Sequence, residues 1–202
     1  MSKYTYIIDA GHGSIVDNKY VTAPKKMYKY SNDKIAYEGV INRIFAKKLI
    51  NKLEKLEIAY ISLYSNLDLP LKLRVKQINN YYEIYKNIIL ISLHSNAGKG
   101  TGIEIWTTKG ITRSDKFAQL LGEKFIKLMP DIKFRSDTFT DGDLDKEANF
   151  YILKHVYCPA LLLETMFFDN WSDYKKLIDP YFQNRVIDVI CEWIKKVELM
   201  NI

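Results

Sequence analysis

Three short runs built mostly from Ile and Leu each end on an ionisable side chain, and this recurrence constrains the fold more than any other feature. The first is Ile7-Ile8-Asp9-Ala10-Gly11-His12-Gly13. The second is Ile91-Ser92-Leu93-His94-Ser95-Asn96-Ala97, and the third is Leu161-Leu162-Leu163-Glu164-Thr165. Apolar runs of this length read as strands buried on both faces, and such strands belong to parallel sheets covered by helices. Ligands bind such sheets at the carboxyl ends of the strands. Three polar endings at one edge therefore mark that edge as a site.

The intervening segments have helical period. Val40, Ile41, Ile44, Phe45, Leu49, Leu53 and Leu56 recur at the spacing of one helix face. Leu71 to Lys86, Phe117 to Leu128 (closed by Pro130) and Tyr181 to Leu199 repeat the pattern. Strands are expected at Tyr4–Asp9, Glu57–Leu63, Ile88–Leu93, Gly102–Trp106 (nearer an edge) and Ala160–Glu164. Residues 10–33 and 134–147 read as loops. Strands alternating with helices predict an α/β fold: one three-layer αβα domain with a mostly parallel twisted sheet. No repeat or linker divides the 202 residues, so one domain over 1–202 is expected.

Composition narrows the partners. The chain is 48% hydrophobic, enough for a full core. The net charge of +6 favours anionic partners. Its basic residues are scattered pairs such as Lys47-Lys48 and Lys195-Lys196, which read as solvated helix faces. No nucleic-acid-binding motif or basic helix appears, so nucleic acid is not an expected partner. Cys158 and Cys191 lack metal-type spacing and read as buried thiols. The first ten residues show no apolar signal region, and no run approaches a membrane span, so no stable membrane insertion is expected. Synthesis in the cytoplasm, without a signal peptide, is the expectation.

Two neutral imidazoles and one carboxylate make a normal catalytic zinc set. His12 and His94 sit at equivalent strand ends among small residues, and Gly11 and Gly13 leave room for the backbone to crowd a ligand. The carboxylate is open on position alone: Asp9, Asp17, Asp33, Glu38 and Glu164 are all candidates. Glu38 opens the first long helix, where the helix dipole by itself favours an acid. His155 falls outside this arrangement and reads as structural, with a substrate contact as the alternative.

Taken together, Asp9-Ala10-Gly11-His12-Gly13, Glu38, Ser92-Leu93-His94-Ser95-Asn96-Ala97 and Leu163-Glu164-Thr165-Met166-Phe167-Phe168-Asp169-Asn170 resemble the zinc-dependent N-acetylmuramoyl-L-alanine amidases of the Amidase_3 type. The resemblance runs from about Ile7 to Ile194. It implies that His12, Glu38 and His94 bind Zn2+ and that Glu164 is catalytic. Arg74 and Asn79 match an Arg and an Asn before the third strand, and Gly102-Ile103-Glu104 matches the opening of the next strand. Two departures stand out. Met166 occupies a position where the family has Gly, so it is expected to narrow the cleft beside Glu164. The usual Arg after the second strand has no counterpart in residues 60–65.

The implied reaction is hydrolysis of the amide between N-acetylmuramic acid and the stem peptide's L-alanine, with peptidoglycan as the partner. Acting on the wall without a signal peptide, after release or export, resembles a phage endolysin. A wall-binding or regulatory module without activity, and a zinc peptidase acting on free wall peptides, are the competing classes. Neither the oligomeric state nor the source is legible. Lys19, Tyr20, Lys25, Lys26, Tyr28, Lys29 and Tyr30 form a candidate substrate-contact loop, sugars stacking on aromatics and lysines meeting peptide carboxylates. Asp137, Asp141, Asp143, Asp145 and Glu147 invite a calcium reading. Lys146 and Ile152 stand where such a loop needs Gly and Glu, so a mobile cleft-side loop is expected instead.

Overall fold

The apolar runs become the middle of a six-stranded sheet. In the computed structural model, which describes residues 2–22, 26–63, 65–140 and 142–200, the strand order is β6-β1-β7-β10-β8-β9. The strands are β1 (Thr5–Ala10), β6 (Tyr60–Ser62), β7 (Ile88–Asn96), β8 (Ile103–Thr107), β9 (Lys146–Glu147) and β10 (Ala160–Phe167). The first four positions are mutually parallel; β8 runs antiparallel to β10, and β9 parallels β8. β1, β7 and β10, the runs with polar endings, lie side by side.

Strand alternation sorts the side chains onto two faces. Tyr6, Ile8, Ile89, Ile91, Leu161, Leu163, Ile103 and Ile105 join the larger core. That core is completed by α1 (Glu38–Lys55), α3 (Arg113–Leu128), α5 (Trp171–Leu177) and α6 (Pro180–Glu198). α3 starts with a complete capping box, Thr112 with Asp115. α6 starts on Asp179, whose carboxylate accepts the Tyr181 and Phe182 N–H groups. Trp193 of α6 is fully buried, and its Nε1 donates to the Phe117 carbonyl at 2.9 Å. Ile7, Leu90, Ala160 and Leu162 face the smaller core, with only α2 (Leu71–Tyr85) and the short α4 (Tyr151–His155) over them. This thin second layer leaves the strand ends uncovered, and the cleft opens there.

Several expectations change. Residues 10–33 are not one loop: they hold β2 (Ile15–Val16) with β3 (Lys19–Tyr20), and β4 (Met27–Ser31), which pairs with β5 (Lys34–Tyr37). Asp17 and Asn18 both have positive φ (48° and 59°), the signature of a type I′ hairpin turn. Ribbons this short bury too little for an apolar pattern to show. The 57–63 strand shrinks to Tyr60–Ser62, because Glu57 adopts a left-handed φ of 54°. Residues 134–147 are likewise not wholly a loop: Lys146–Glu147 closes the sheet edge as β9, and Phe134 bridges Ile103. α4 and α5 are too short for periodicity to reveal. Both cysteines are free and buried. Among the described residues no helix is long and apolar enough to cross a membrane.

Met166 does not narrow the cleft. It sits in an irregularity of β10 at φ 60°, and its side chain is buried in the larger core on the other face. The backbone there favours Gly. For an L-residue the left-handed region costs roughly 1–2 kcal/mol, whereas deleting a buried Met side chain costs roughly 2–5 kcal/mol. Packing wins. Met166→Gly is therefore expected to lower the unfolding free energy by about 2 kcal/mol in denaturant titration; a variant more stable than the parent would show that strain dominates.

The acidic stretch is partly built into the sheet edge. Asp141 lies outside the described residues. Asp145 is buried; its Oδ2 accepts from Thr107 Oγ1 at 2.6 Å, and Oδ1 has no hydrogen-bond partner among the described residues. Burial, with Asp143 and Asp115 nearby, pushes its pKa up to about 7. A carboxyl raised on folding contributes stability fully below its unfolded pKa, near 3.8, and loses it as pH rises through about 7. Asp145→Asn should therefore melt higher than the parent at pH 8, by ~1–3 kcal/mol in stability. The gap should close by about pH 4; a gap independent of pH would refute the assignment.

Candidate active site

The exposed strand ends carry a row of polar side chains on the thinly covered face. Asp9 and Ser92 come first, two positions beyond Ile7 and Leu90. Asp9 is fully buried: Arg74 Nη1 lies 3.0 Å from both its oxygens, and Ser92 Oγ donates to Oδ2 at 2.6 Å. These bonds consume Asp9 as a structural anchor for α2. One row further, the sheet register sets His94 beside Glu164 and Glu164 beside Glu104. Gly11 extends this row. Its N–H donates to the Leu93 carbonyl at 2.9 Å, and a Cβ there would lie 2.1 Å from the His94 ring. Only glycine lets that imidazole lie across β1.

His12 and Glu38 come over the sheet edge from the two ends of the hairpin segment. His12 has a φ of 66°, which turns the chain after β1. The Arg43 guanidinium fixes this turn, donating to the carbonyls of His12 (2.5 Å), Gly39 (2.8 Å) and Ser65. A Cβ on Gly39 would meet the Gly13 carbonyl at 1.8 Å, so glycine lets α1 begin against this turn. The first residue of α1 is Glu38, and it is 1% exposed.

Glu38 Oε1 lies 3.2 Å from His12 Nε2 and 3.1 Å from His94 Nδ1, and Oε2 lies 3.4 Å from Lys26 Nζ. The imidazoles meet edge to face, centroids 5.0 Å apart. Burial pushes the Glu38 pKa up, but the two imidazoles outweigh it and hold the carboxyl well below its usual range. Burial pushes both histidines down. For His12 burial prevails; for His94 the carboxylates of Glu38, Glu164 and Asp9 prevail, and its pKa rises. Among the described residues, His12, Glu38 and His94 are the one group of three such side chains whose ligand atoms all lie within 4.8 Å. His12 Nε2 and Glu38 Oε2 are buried without a hydrogen bond.

Glu164 differs from Glu38 in its partners. Its Oε2 is buried and makes no hydrogen bond among the described residues. Burial pushes its pKa up to about 7; His94 opposes this rise, and Glu38 adds to it. Glu164 and His94 floor a cleft of about 490 Å³. Leu69, Pro70 and Leu71 at the start of α2 form one wall, and Phe150 and Tyr151 at the start of α4 form another. The remaining sequence candidates fall elsewhere. Asp17 and Asp33 are exposed on hairpin turns. His155 is exposed and leans on Tyr151 at 4.3 Å, and its carbonyl accepts from Asn79 Nδ2 at 2.9 Å.

Of the candidate contact loop, Lys26 lines the cleft. Tyr20 supports it from behind, its hydroxyl donating to the Lys26 carbonyl and accepting from the Gly39 N–H, both at 2.9 Å. Tyr28 packs on Tyr30, and Tyr30 packs with Trp171 and Tyr174 instead. Lys19 and Lys29 are exposed, away from the cleft, and Lys25 lies outside the described residues. Sequence reasoning passed over the apolar cleft walls and the surroundings of Glu104. An acid between Ile103 and Ile105 was a usable signal for the latter, because a buried carboxylate demands partners.

A family model described as N-acetylmuramoyl-L-alanine amidase matches residues 7–196. Among curated proteins, the chain is similar to the N-acetylmuramoyl-L-alanine amidase CwlM of Bacillus licheniformis, 29% identical over 135 residues, which are 66% of this chain and 48% of that protein. It is also similar to an uncharacterized cell wall amidase of Bacillus anthracis, 28% identical over 195 residues, 92% of this chain and 34% of that protein. The chain thus spans about half or less of these relatives' length. Among solved structures, an N-acetylmuramoyl-L-alanine amidase from Clostridium difficile 630 superposes with a TM-score of 0.80 at 27% identity, covering 100% of both chains. The catalytic domain of the amidase CwlV from Bacillus (Paenibacillus) polymyxa gives 0.74 at 26%, covering 96% of this chain and 97% of that one.

Proposed function

The chain belongs to the N-acetylmuramoyl-L-alanine amidase family, and from that premise we propose that it hydrolyses the amide joining the muramoyl group of peptidoglycan to the stem peptide's L-alanine. The observation that carries this reading is the convergence of His12, Glu38 and His94 on one point, with Glu164 facing the same cleft.

The donor set fits zinc. Two imidazoles and a carboxylate are a usual set for a hydrolytic site that keeps one position open. The buried His12 and Glu38 atoms without hydrogen bonds are what a bound cation would satisfy. His12, Glu38 and His94 would hold the ion. When bound, zinc supplies Lewis-acid polarisation of the scissile carbonyl and acidifies water. The chain's own groups do the rest. Glu164 accepts the proton of the attacking water and delivers it to the leaving nitrogen. Burial keeps its proton affinity near neutrality, where a group serves well as both base and acid. Glu38 stays ionised beside the imidazoles, so two carboxylates in one cleft hold different roles. Leu69, Pro70, Leu71 and Phe150 give the cleft apolar walls beside the reacting groups.

Three substitutions test the roles. Glu164→Gln should leave the metal content unchanged and lower kcat by roughly 10²–10⁴-fold, read as soluble stem peptide released from purified sacculi. Near-normal turnover would remove Glu164 from the mechanism. Glu38→Ala or His94→Ala should lose bound zinc, assayed by elemental analysis of folded protein; a variant that stays fully loaded would break the ligand set. Mass spectrometry of the products identifies the bond cut, and cleavage within free peptides alone would replace the amidase reading with a peptidase.

A further inference from the structure

Beside Glu164, and outside the groups used so far, lies a third buried carboxylate with more cations than it needs. Glu104 of β8 stands directly opposite Glu164 of β10 and is 2% exposed. Its Oε1 accepts from Arg135 Nε at 2.5 Å and Lys146 Nζ at 3.0 Å. Its Oε2 accepts from Asn96 Nδ2 at 2.9 Å and Trp106 Nε1 at 3.0 Å. One cation would balance the charge, and the neutral donors already satisfy half of the carboxylate. The cluster is left with one positive charge in excess. Its cations reach solvent, with 31% of the Arg135 side chain and 19% of the Lys146 side chain exposed.

Both cations are held in place by aromatic faces. The Arg135 guanidinium lies 5.3 Å from the Phe167 ring centre, and Lys146 Nζ lies 5.3 Å from that of Trp106. Trp106 packs on Phe150 at 5.2 Å, and Phe150 lines the cleft. The basic cluster thus continues the cleft wall. Arg135 spends Nε on Glu104, and among the described residues no acceptor meets its terminal amino groups. An arginine so oriented offers a planar pair of donors matched to a carboxylate.

We propose that Arg135 and Lys146 form a subsite for a carboxylate of the stem peptide, so that the enzyme prefers stems whose carboxylate is free over stems in which it is amidated. The inference rests on the amidase reading. In that substrate the lactyl carboxyl is consumed by the scissile amide, so the glycan side offers no carboxylate and the anion must come from the peptide. The reach agrees. A peptide residue spans at most ~3.3–3.6 Å, which puts a carboxylate two residues past the scissile nitrogen roughly 7 Å away. Directly opposed strand residues are ~5 Å apart, and the arginine's amino groups extend past Glu104.

The test uses two soluble muropeptides that differ only in whether the carboxylate of the second stem residue is free or amidated. Wild type should cleave the free form with a kcat/KM higher by roughly 10–100-fold, mostly through KM. Arg135→Gln with Lys146→Gln should erase that preference while leaving the amidated substrate's kcat/KM near the wild-type value. Stripping both cations from a buried carboxylate endangers folding. Glu104→Gln with Arg135→Gln, which removes one charge of each sign, and Arg135→Lys, which keeps the charge but loses the planar pair, are therefore measured alongside. Each should reduce the preference. Equal cleavage of both substrates by wild type, or an unchanged ratio in the folded variants, would overturn the subsite while leaving the amidase reading intact. If wild type cuts neither substrate, the amidase reading fails. Calorimetric titration with the two muropeptides then decides the subsite: tighter binding of the free form, lost in the variants, sustains it, and equal binding ends it.

Discussion

A charged carboxylate cannot be taken out of water unless something nearby compensates it, and the structure is organised around meeting that demand at Glu38. Its side chain is almost fully buried, yet its pKa is held down rather than up. The desolvation of an unpaired carboxylate amounts to several kcal/mol. Two imidazoles at 3.1 and 3.2 Å and the Lys26 ammonium at 3.4 Å offset it. Those partners come from three separate stretches of chain. The turn after β1 brings His12, the end of β7 brings His94, and the hairpin segment before α1 brings Lys26. Arg43 and the two glycines at 11 and 39 make this convergence sterically possible. A cation among the three ligand-type side chains would serve the same electrostatic need, which is why the geometry supports a metal at this point.

The sheet supplies the rest through its two-residue alternation. On the face covered by α2 and α4, each step of two residues toward the strand ends changes the chemistry. Ile7, Leu90 and Ala160 are apolar, Asp9 and Ser92 are polar and paired, and His94, Glu164 and Glu104 face the cleft or its rim. A shift of one residue in any pairing would send these groups into the larger core. The register is fixed because that core is largely apolar on the opposite face. Packing on one side of the sheet therefore positions chemistry on the other.

The sequence made much of this legible, for identifiable reasons. β1, β7 and β10 were visible because strands covered on both faces must be apolar throughout, and their endings stood out as breaks in that rule. Long helices were visible because each buries a continuous stripe. Glu38 was ambiguous: an acid opening a helix is favoured by the dipole alone, and only three-dimensional convergence separates it from Asp9, Asp17 and Asp33. The hairpins of 15–20 and 27–37 were missed because two-stranded ribbons bury little surface, and β9 because two residues carry no period. Met166 was misjudged because residue volume says nothing about which face a bulged strand presents. The Arg135–Lys146–Glu104 cluster was hidden for a different reason. Its members lie on three separate segments, and charge pairing across a sheet edge leaves no trace in sequence spacing.

Glu38, Glu164 and Glu104 share one side-chain chemistry; Glu38 and Glu104 are buried and Glu164 is half-buried with its Oε2 shut off from water, yet they differ in proton affinity. Burial pushes all three upward. Two imidazoles reverse the effect at Glu38, and Arg135 with Lys146 reverse it at Glu104. At Glu164 the opposing pull of His94 is too weak to reverse it, and of the three only Glu164 rises, to about 7. Partner supply, rather than burial, thus decides which carboxylate can hold and release a proton at neutral pH. Glu104 raises Glu164 less than Glu38 does, although it stands directly opposite in the sheet. The cations beside Glu104 hold that carboxyl ionised and still leave one positive charge beside the cleft rim.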